Sequence, residues 1–463
     1  DRGGPVRLTT FEVARIVGGT VVGSGDVILT GADVDSRRVG SGDLFVALPG
    51  ARHDGHEFVG QALAECSAAL VSERSELEQP PSNRALIRVS DPLAAYWELA
   101  RWNRGRRSME IAAVTGSVGK TTVKDFLAQL MSGVRRTGRS EGNRNNTLGL
   151  PGQLLSAAED VQLFVAEAGM SSPGELETLG GILQPLRLVL YTRIAPVHTE
   201  FFPDLEGIVR AKAELLPYLD PGGDLVINGD DARHRFFAGQ FSGRVLRYGG
   251  ADGDSNIEIV EDRGLVGAVC ELSLPDGRTQ VELKVPGLHQ VENLLAAATA
   301  AFALGADLHQ VGAAAAELKA APHRGEVLLL SGGVTLVDDS YNASPVAVER
   351  LLELLRKAPG RKVAVLGEMF ELGELTDEAH RRVGRQAATA CDVLLAVGGD
   401  SARLLANAAT AAGLSAVRHV PDSEAATEIL KELLEPGDVM LVKGSRGVGL
   451  DRTVGALVRE EAA

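Results

Sequence analysis

The sequence predicts an α/β fold organised in three domains, and three observations carry this prediction. A chain of 463 residues is about three times the usual length of one domain, and a 44% share of hydrophobic residues supplies several cores. At residues 111–130 an apolar stretch, a glycine-rich loop and an amphipathic stretch follow one another. From residue 334 onwards strand and helix patterns alternate, which is typical of a parallel sheet covered by helices.

Domain boundaries are predicted near residues 107 and 322. Residues 1–107 contain short apolar stretches broken by glycines, which predict a small N-terminal α/β domain. Residues 108–322 surround the glycine-rich loop and are predicted to form a mostly parallel sheet. Residues 323–463 are predicted to be Rossmann-like, with strands at 334–337, 362–366, 393–397 and 439–442, and with helices at 346–356, 378–390, 402–412 and 424–434.

A helix is predicted at the end of the first domain. Apolar and aromatic residues, among them Tyr96 and Trp97, recur at helical spacing in residues 91–107, and such a stripe usually packs in a core. The segment ends in arginines at positions 101, 104, 106 and 107. We expect the aromatic side chains to be core residues rather than ligand contacts, and the arginines to lie in solvent.

The loop at residues 115–122 reads TGSVGKTT. Backbone N–H groups of such a loop and of the following helix start point at one place, where phosphates can bind. A lysine ammonium then meets the outer phosphates and a hydroxyl meets Mg²⁺. The standard spacing would require glycine at Val114, whereas the first glycine here is Gly116. We predict binding of ATP or GTP by Gly116, Ser117, Val118, Gly119, Lys120, Thr121 and Thr122.

Other central segments place polar residues next to predicted strands. Glu167 ends the strand at residues 161–166, where a carboxylate could reach a nucleotide-bound Mg²⁺. The strand at 186–194 leads to His198, and Lys212 is predicted to open a helix. Residues 141–151 form an asparagine-rich loop that enters a helix. Residues 244–285 alternate as β segments with Asp-Gly turns, which predicts an antiparallel extension, and a helix follows at 294–304.

Composition excludes several classes of function. A net charge of −15 disfavours nonspecific nucleic-acid binding, which uses basic patches. Aromatic residues make up 4% of the chain, too few to indicate base-stacking platforms. No signal-like region precedes Leu8, and no apolar run approaches the roughly 18 residues of a membrane span. Three widely spaced cysteines argue against a disulfide framework. We expect a cytoplasmic protein with small-molecule substrates, no membrane span and no nucleic-acid partner.

Several motifs occur in the order known from the Mur ligases, and the chain resembles this family over nearly its whole length. The loop is similar to the family's TGxxGKT pattern. The other matching segments are DSR at 35–37, GDLFVALPG at 42–50, DGHEF at 54–58, KAE at 212–214, HRG at 323–325, DDSYNASP at 338–345, LGEMFELG at 366–373 and KGSR at 443–446. Ser344 and Glu368 depart mildly from the pattern. Gln290 stands where the family has asparagine, so it receives no role.

The resemblance implies ATP, Mg²⁺ and a set of site residues. Catalytic roles fall on Lys120, Lys212, His198 and Arg324. Asn293, Arg324 and Asp339 join the loop in binding ATP. The metal ligands would be Thr121, Glu167, His198 and Lys212. In this family the lysine matching Lys212 is carbamylated, which turns a cation into an anion suited to metal.

The resemblance also implies a reaction. The C-terminal signatures are those of the member that joins D-alanyl-D-alanine to UDP-N-acetylmuramoyl-tripeptide in peptidoglycan precursor synthesis, through an acyl phosphate. The DNPR motif of the lysine- or diaminopimelate-adding member is absent from the sequence. Substrate contacts are implied for Ser36, Arg37, Asn145, Asn146, Tyr341, Asn342, Lys443 and Ser445. We expect a monomer.

Three alternatives remain at this stage. Another amino-acid ligase of the same superfamily, of the lysine-adding or folylpolyglutamate type, would share the loop and the metal residues. A P-loop switch or binding module would bind nucleotide without acceptor-dependent turnover. A weakly active relative could serve as a scaffold. Screening of amine substrates separates these possibilities.

Overall fold

The computed structural model describes residues 7–50, 53–73, 75–195, 202, 204–330 and 332–460. The chain forms two compact units. The first comprises Asp1–Lys120, Met131–Ile194 and Ile208–Arg247, and the second comprises Thr121–Leu130, Ala195–Gly207 and Tyr248–Ala463. In the described residues, no helix has the length and apolar character needed to cross a bilayer.

The N-terminal part of the first unit is a mixed sheet with helices. Its strands are β1 (Leu8–Thr9), β2 (Thr20–Gly23), β3 (Ile28–Leu29), β4 (Gly31–Asp33), β5 (Asp43–Val46), β6 (Ala68–Ser72) and β7 (Ala85–Val89), and its helices are α1 (Thr10–Val17), α2 (Val59–Glu65) and α3 (Pro92–Gly105). The sheet order is β2-β7-β6-β5-β4. Strands β4 to β7 pair in parallel, and β2 joins β7 antiparallel.

Helix α3 begins where Asp91 caps the backbone N–H groups of Leu93 and Ala94, as an N-terminal carboxylate can. Its aromatic side chains are structural, as expected. The Tyr96 hydroxyl donates to the carbonyl of Leu148 at 3.1 Å, and the Trp97 indole donates to that of Thr147 at 2.8 Å. Helix α3 is thereby joined to the asparagine-rich loop.

The expectation that all the arginines of α3 lie in solvent was wrong for Arg104. This side chain is only 6% exposed. Its guanidinium donates to the carbonyls of Leu183, Arg107 and Pro185 at 3.0–3.2 Å. Burial lowers its pKa below the ordinary value. The guanidinium is retained in the interior because three carbonyl groups replace the water it has lost.

We expect Arg104→Ala to lower the melting temperature by a few degrees. Three buried carbonyls would lose their donor, at a cost of about 2 kcal/mol. Arg101→Ala is the matched control, because Arg101 lies on the same helix, is exposed and pairs with the exposed Glu98; a surface change of this kind has little effect. Thermal melting of both variants is the measurement, and equal melting temperatures would contradict the expectation.

The rest of the first unit is built on a parallel sheet. Its strands are β8 (Glu110–Thr115), β9 (Thr137–Arg139), β10 (Leu163–Glu167), β11 (Leu186–Tyr191), β12 (Leu219–Asn228) and β13 (Arg244–Tyr248), in the order β13-β12-β11-β8-β10-β9. The helices in this stretch of sequence are α4 (Lys120–Ser132), α5 (Gly149–Ser156), α6 (Glu175–Leu183), α7 (Leu205–Ala213) and α8 (His234–Ala238). Strands β8 to β12 pair in parallel.

Two predictions about this sheet need correction. Lys212 does not open a helix, because it lies in the last turn of α7. The predicted antiparallel extension at residues 244–285 was wrong at its start, because β13 is an edge strand of the parallel sheet. The extension consists of β14 (Asn256–Asp262), β15 (Ala268–Leu274) and β16 (Gly277–Leu283), paired antiparallel in the order β14-β15-β16.

The second unit continues with helices α9 (His289–Ala303) and α10 (Leu308–Ala315) and a second large sheet. The strands of this sheet are β17 (Glu326–Leu329), β18 (Thr335–Asp339), β19 (Lys362–Gly367), β20 (Val393–Val397), β21 (Val417–Val420) and β22 (Val439–Lys443). The sheet order is β17-β18-β22-β19-β20-β21, parallel except for the antiparallel pair β17 and β18. The helices are α11 (Pro345–Lys357), α12 (Thr376–Ala390), α13 (Asp400–Ala411), α14 (Ser423–Leu433) and α15 (Leu450–Glu460).

The C-terminal sheet is buried on both faces. Leu352, Val383 and Leu405 belong to one core, and Leu430, Leu450 and Val454 belong to the other. Central strands such as β20 and β22 are therefore continuous apolar runs, as parallel strands between two helical layers should be. The predicted α/β fold class is confirmed, whereas the boundaries at residues 107 and 322 remain predictions.

The three cysteine thiols are buried and free. Burial raises the pKa of Cys66 and Cys270, and it raises that of Cys391 to about 12. A thiol that stays protonated and is shielded from solvent is a poor nucleophile. The cysteines are therefore packing residues.

Candidate active site

The phosphate-binding loop joins β8 to α4 and depends on two glycines. Gly116 has φ +143° and Gly119 has φ +88°, backbone conformations that favour glycine. A Cβ atom on Gly116 would overlap the Thr192 hydroxyl. The amides of Ser117 and Val118 donate to the carbonyl of Arg193, at 2.9 and 3.2 Å. The loop is therefore tied to the end of β11 and passes directly into a helix N-terminus, where phosphates bind.

We expect Gly116→Ala to weaken ATP binding by about tenfold or more, because the added methyl group forces the loop away from Thr192 in a conformation that alanine adopts only with strain. Gly133→Ala is the matched control. Gly133 follows the same helix with φ −80°, and nothing lies within 4 Å of the position of an added Cβ. Calorimetric titration with ATP measures both variants. Wild-type affinity in Gly116→Ala would show that the loop does not bind the nucleotide.

Lys212 lies beside this loop and is only 2% exposed. Its Nζ donates to the carbonyl of Gly116 at 2.8 Å, and its own carbonyl accepts from the Tyr191 hydroxyl at 2.8 Å. Burial, with a smaller contribution from the charge of Lys120, lowers the pKa of Lys212 well below its ordinary value. A lowered pKa increases the share of the neutral, nucleophilic form of the amine at any given pH.

Lys120, the first residue of α4, carries the second amine of the site. Its Nζ donates to the carbonyl of Ser117 at 3.3 Å, so that the side chain folds back over the loop. Thr121 and Thr122 follow in the first turn of the helix and are largely buried. The charge of Lys120 contributes to the lowered pKa of Lys212, and Lys120 is therefore the amine that brings positive charge to the place where phosphates would lie.

Glu167 is the last residue of β10, paired in register with Val114 of β8. Its backbone amide donates to the Ser140 hydroxyl, and its carboxylate accepts from the Asn145 side chain, both at 2.8 Å. The carboxylate is buried at the carboxyl end of a parallel strand next to the loop strand, a position that suits an Mg²⁺ ligand. Asn145, predicted as a substrate contact, is therefore a partner of the predicted metal ligand.

The asparagine-rich loop also contacts the N-terminal sheet. The Arg144 guanidinium pairs with Asp33 at 2.8 Å, and the side chain of Asn146 accepts from the amides of Leu148 and Gly149, closing the turn into α5. Sequence reasoning missed Arg144, although its place directly before two predicted substrate residues was a usable signal. Through this ion pair the structure joins the segment of Asn145 and Asn146 to the end of β4, two residues before the DSR segment.

In the DSR segment, the side chain of Arg37 is 83% exposed. Its guanidinium donates two hydrogen bonds, of 2.7 and 2.8 Å, to the carboxylate of Asp35. This contact lowers the pKa of the Asp35 carboxyl. Ser36 lies between them and is partly exposed. Arg37 can therefore meet an anionic ligand, although it would exchange its contact with Asp35 to do so.

His198 lies outside the described residues. Among the residues that are described, no group of three or more His, Cys, Asp or Glu side chains is placed to hold a metal ion. The predicted ligands Thr121, Glu167 and Lys212 lie in α4, β10 and α7, respectively.

In the second unit, Asp339, Asn342 and Lys443 form one cluster. Asp339 and Lys443 end the paired strands β18 and β22. The buried Lys443 ammonium pairs with the Asp339 carboxylate and donates to the carbonyl of Asn342 at 2.9 Å. His289, which begins α9, has its pKa lowered to about 4 by burial, an effect that Arg350 and Lys443 strengthen and Asp339 opposes. Sequence reasoning assigned no role to His289.

The other predicted residues of this unit hold neighbouring segments. The Ser445 hydroxyl accepts from the amide of Phe370 at 2.9 Å, and its own amide donates to the carbonyl of Glu368. The Asn293 side chain donates to Gln290 at 2.8 Å, and Gln290 is buried. Arg324 lies over the ring of Tyr341, with Cζ 4.1 Å from the ring centroid.

The glycine-rich loop at a helix start and the carboxylate at a neighbouring strand end define a P-loop nucleotide-binding protein of the α/β class. The chain matches the family descriptions "Mur ligase family, catalytic domain" at residues 29–103, "Mur ligase middle domain" at 114–301 and "Mur ligase, glutamate ligase domain" at 323–446. The chain belongs to the Mur ligase family.

Individual relatives match over nearly the whole length. The UDP-N-acetylmuramoyl-tripeptide–D-alanyl-D-alanine ligase of Escherichia coli (strain K12) is 33% identical over 462 residues, covering 98% of each chain. A crystal structure of MurF from Acinetobacter baumannii has a TM-score of 0.88 at 28% identity, covering 98% of this chain and 100% of that one. MurF from Thermotoga maritima in complex with ADP has a TM-score of 0.77 at 29% identity, covering 93% and 97%.

Proposed function

We propose that this protein is an ATP-dependent ligase that joins D-alanyl-D-alanine to UDP-N-acetylmuramoyl-tripeptide in the synthesis of peptidoglycan precursors. The observation that carries the proposal is the 33% identity to a ligase of this name, spread over 98% of both chains. The DDSYNASP segment supports the same reading, because its Asp339 and Asn342 meet Lys443 of the KGSR segment in one cluster.

The reaction needs ATP because a carboxylate is a poor acyl donor. The terminal carboxylate of the tripeptide attacks the γ-phosphorus of ATP, the bond to the β-phosphate breaks, and an acyl phosphate and ADP result. The amine of D-alanyl-D-alanine then attacks the acyl carbon, loses a proton and expels phosphate from a tetrahedral intermediate. Both steps bring anions together, so positive charge at the phosphates lowers the barrier. Lys120 and Arg324 are the side chains to which we assign this role.

Mg²⁺ would be held by Thr121, Glu167, His198 and Lys212 after carbamylation. The donors fit, because Glu167 offers a buried carboxylate that Asn145 orients, and Mg²⁺ prefers oxygen ligands. When bound, the metal supplies charge neutralisation at the phosphate oxygens. Carbamylation forms a bond from the Lys212 nitrogen to the carbon of CO₂ and releases a proton. Its neutral amine is suited to this addition, because burial lowers the pKa of Lys212.

The remaining assignments concern recognition. Asn293 and Asp339 are assigned to the nucleoside of ATP. Ser36, Arg37, Asn145 and Asn146 are assigned to the UDP-tripeptide, with Arg37 available for its phosphates. Tyr341, Asn342, Lys443 and Ser445 are assigned to the dipeptide side. We further propose domains at residues 1–107, 108–322 and 323–463, and a monomer that works in the cytoplasm, where these precursors and ATP are present.

The test is ATP-dependent phosphate release with UDP-N-acetylmuramoyl-tripeptide, comparing D-alanyl-D-alanine with L-lysine, diaminopimelate and glutamate as the amine. We expect release only when tripeptide and D-alanyl-D-alanine are both present. Phosphate release that depends on a different amine would show that the protein is another ligase of the family. Release without any amine would favour a nucleotide-hydrolysing switch.

A further inference from the structure

The side chain of Tyr341 is placed against two guanidinium groups. Cζ of Arg324 lies 4.1 Å from the ring centroid, and Cζ of Arg446 lies 5.1 Å from it. Both distances are within the range at which a cation is attracted to an aromatic face. Tyr341 itself lies in the turn between β18 and α11. The backbone of Tyr341 is therefore close to the end of a strand, whereas the arginines are long side chains that need a support to hold one direction.

The hydroxyl group of Tyr341 does not make the contacts of this side chain. It is buried, and it has no hydrogen-bond partner within the part of the chain that the structure describes. A phenol that binds a substrate through its oxygen would direct that oxygen towards the ligand. Here the aromatic face has the contacts and the oxygen has none among the described groups.

The backbone on either side of Arg324 is fastened to the same strand. The His323 ring nitrogen Nδ1 lies 2.7 Å from the buried Asp338 carboxylate, and the amide of Gly325 donates to the carbonyl of Asp338 at 2.9 Å. The amide of Tyr341 donates back to the carbonyl of His323 at 3.2 Å. His323 has φ +62°, an uncommon conformation for a residue with a side chain. The residues next to Arg324 are thus held to the strand end that precedes Tyr341.

We propose that Tyr341 is a positioning residue whose ring holds the guanidinium of Arg324 in the direction required for phosphate transfer, while the His323–Asp338 contact fixes the backbone from which Arg324 projects. This inference rests on the proposed function, because it assumes that Arg324 acts on the phosphate being transferred. It differs from the substrate contact predicted for Tyr341, since it assigns the effect to the ring face and to Arg324 rather than to the hydroxyl.

The experiment is a double-mutant cycle on nucleotide affinity. The dissociation constants of ADP and of the β,γ-methylene analogue of ATP are measured by calorimetry, with Mg²⁺, for wild type, Tyr341→Leu, Tyr341→Phe, Arg324→Ala and the double variant Tyr341→Leu/Arg324→Ala. For each variant, the ratio of the two dissociation constants isolates interactions with the γ-phosphate. Thermal melting of each variant serves as the check that it is folded.

We expect Tyr341→Leu to reduce the preference for the ATP analogue by about three- to tenfold, and Arg324→Ala to reduce it at least as much. Tyr341→Phe should keep the preference within about twofold, because the ring face remains. In the Arg324→Ala background, the Tyr341→Leu change should have no further effect, since residues that act through one another are not additive.

Three results would overturn the inference. Additive effects in the double variant would show that Tyr341 acts without Arg324, and a loss in Tyr341→Phe equal to that in Tyr341→Leu would assign the effect to the hydroxyl. An unchanged preference in Arg324→Ala would also overturn it, because there would be no phosphate contact to position. None of these results bears on the proposed ligase activity. That proposal is contradicted only if wild-type phosphate release does not require D-alanyl-D-alanine.

Discussion

Lys212→Met should reduce D-alanyl-D-alanine-dependent phosphate release by about a thousandfold, because a metal-directed anion worth several kcal/mol in the transition state would be lost. Methionine is chosen because Lys212 is buried, and an unbranched apolar chain fills most of its volume. The loss of activity should therefore be larger than the loss of folded protein can explain. The rate of phosphate release and the melting temperature, measured on the same preparation, separate the two effects.

Carbon dioxide provides the control for this prediction. Wild-type activity should fall in buffer depleted of CO₂ and recover when bicarbonate is added. The residual activity of Lys212→Met should not respond to bicarbonate, because the amine is gone. The amine reacts only when neutral, and burial lowers its pKa well below the ordinary 10.5; the recovery with bicarbonate should thus be lost as the pH drops through this lowered pKa. Wild-type activity that is indifferent to CO₂ would contradict the carbamate assignment.

Lys120→Ala should lower the rate of phosphate release by about a thousandfold, with a smaller loss in ATP affinity, because the ammonium contributes most where charge develops during transfer. The other groups of the loop, including the backbone amides to which we assign phosphate binding, remain in this variant. Single-turnover phosphate release and nucleotide titration are measured separately. A variant whose rate falls less than tenfold would show that Lys120 does not act on the γ-phosphate.

A second effect of Lys120→Ala follows from the coupling of the two lysines. The charge of Lys120 contributes to the lowered pKa of Lys212. Its removal should raise that pKa, so a larger share of Lys212 would be protonated and unable to add CO₂. The activity that remains should therefore need more bicarbonate than wild type for saturation. An unchanged bicarbonate requirement would show that the coupling is negligible.

Sequence patterns were sufficient for the elements that are buried between layers. The helix predicted at residues 378–390 and the strand predicted at 393–397 correspond to α12 and β20, since burial imposes a clear period on both. Strands β17 and β21 were missed because they lie at the sheet edges. Every second residue of β17 is exposed, so these strands lack the continuous apolar run of the central ones. Helix α15 was also missed.

Two features, one of the fold and one of the site, could not be predicted from the sequence for a different reason. Arg104 is buried because carbonyls from separate segments meet its guanidinium, and no local pattern reports such an arrangement. The lowered pKa of Lys212 likewise depends on tertiary burial. Motif order predicted which residue types would occur in the site, whereas contacts such as Asn145 with Glu167 and Arg144 with Asp33 needed the folded chain.

If Lys212 is carbamylated as we propose, the hydrogen bond from its Nζ to the carbonyl of Gly116 would place the group that takes up CO₂ in direct contact with the glycine-rich loop. Carbamylation would change the charge of that group and its number of donated hydrogens, and any rearrangement of the loop around phosphates would act on the same hydrogen bond. Thermodynamic reciprocity then requires that if CO₂ changes the affinity for ATP by some factor, ATP changes the affinity for CO₂ by the same factor. The dissolved CO₂ of the cell would thereby become an input to the rate at which this ligase loads its nucleotide.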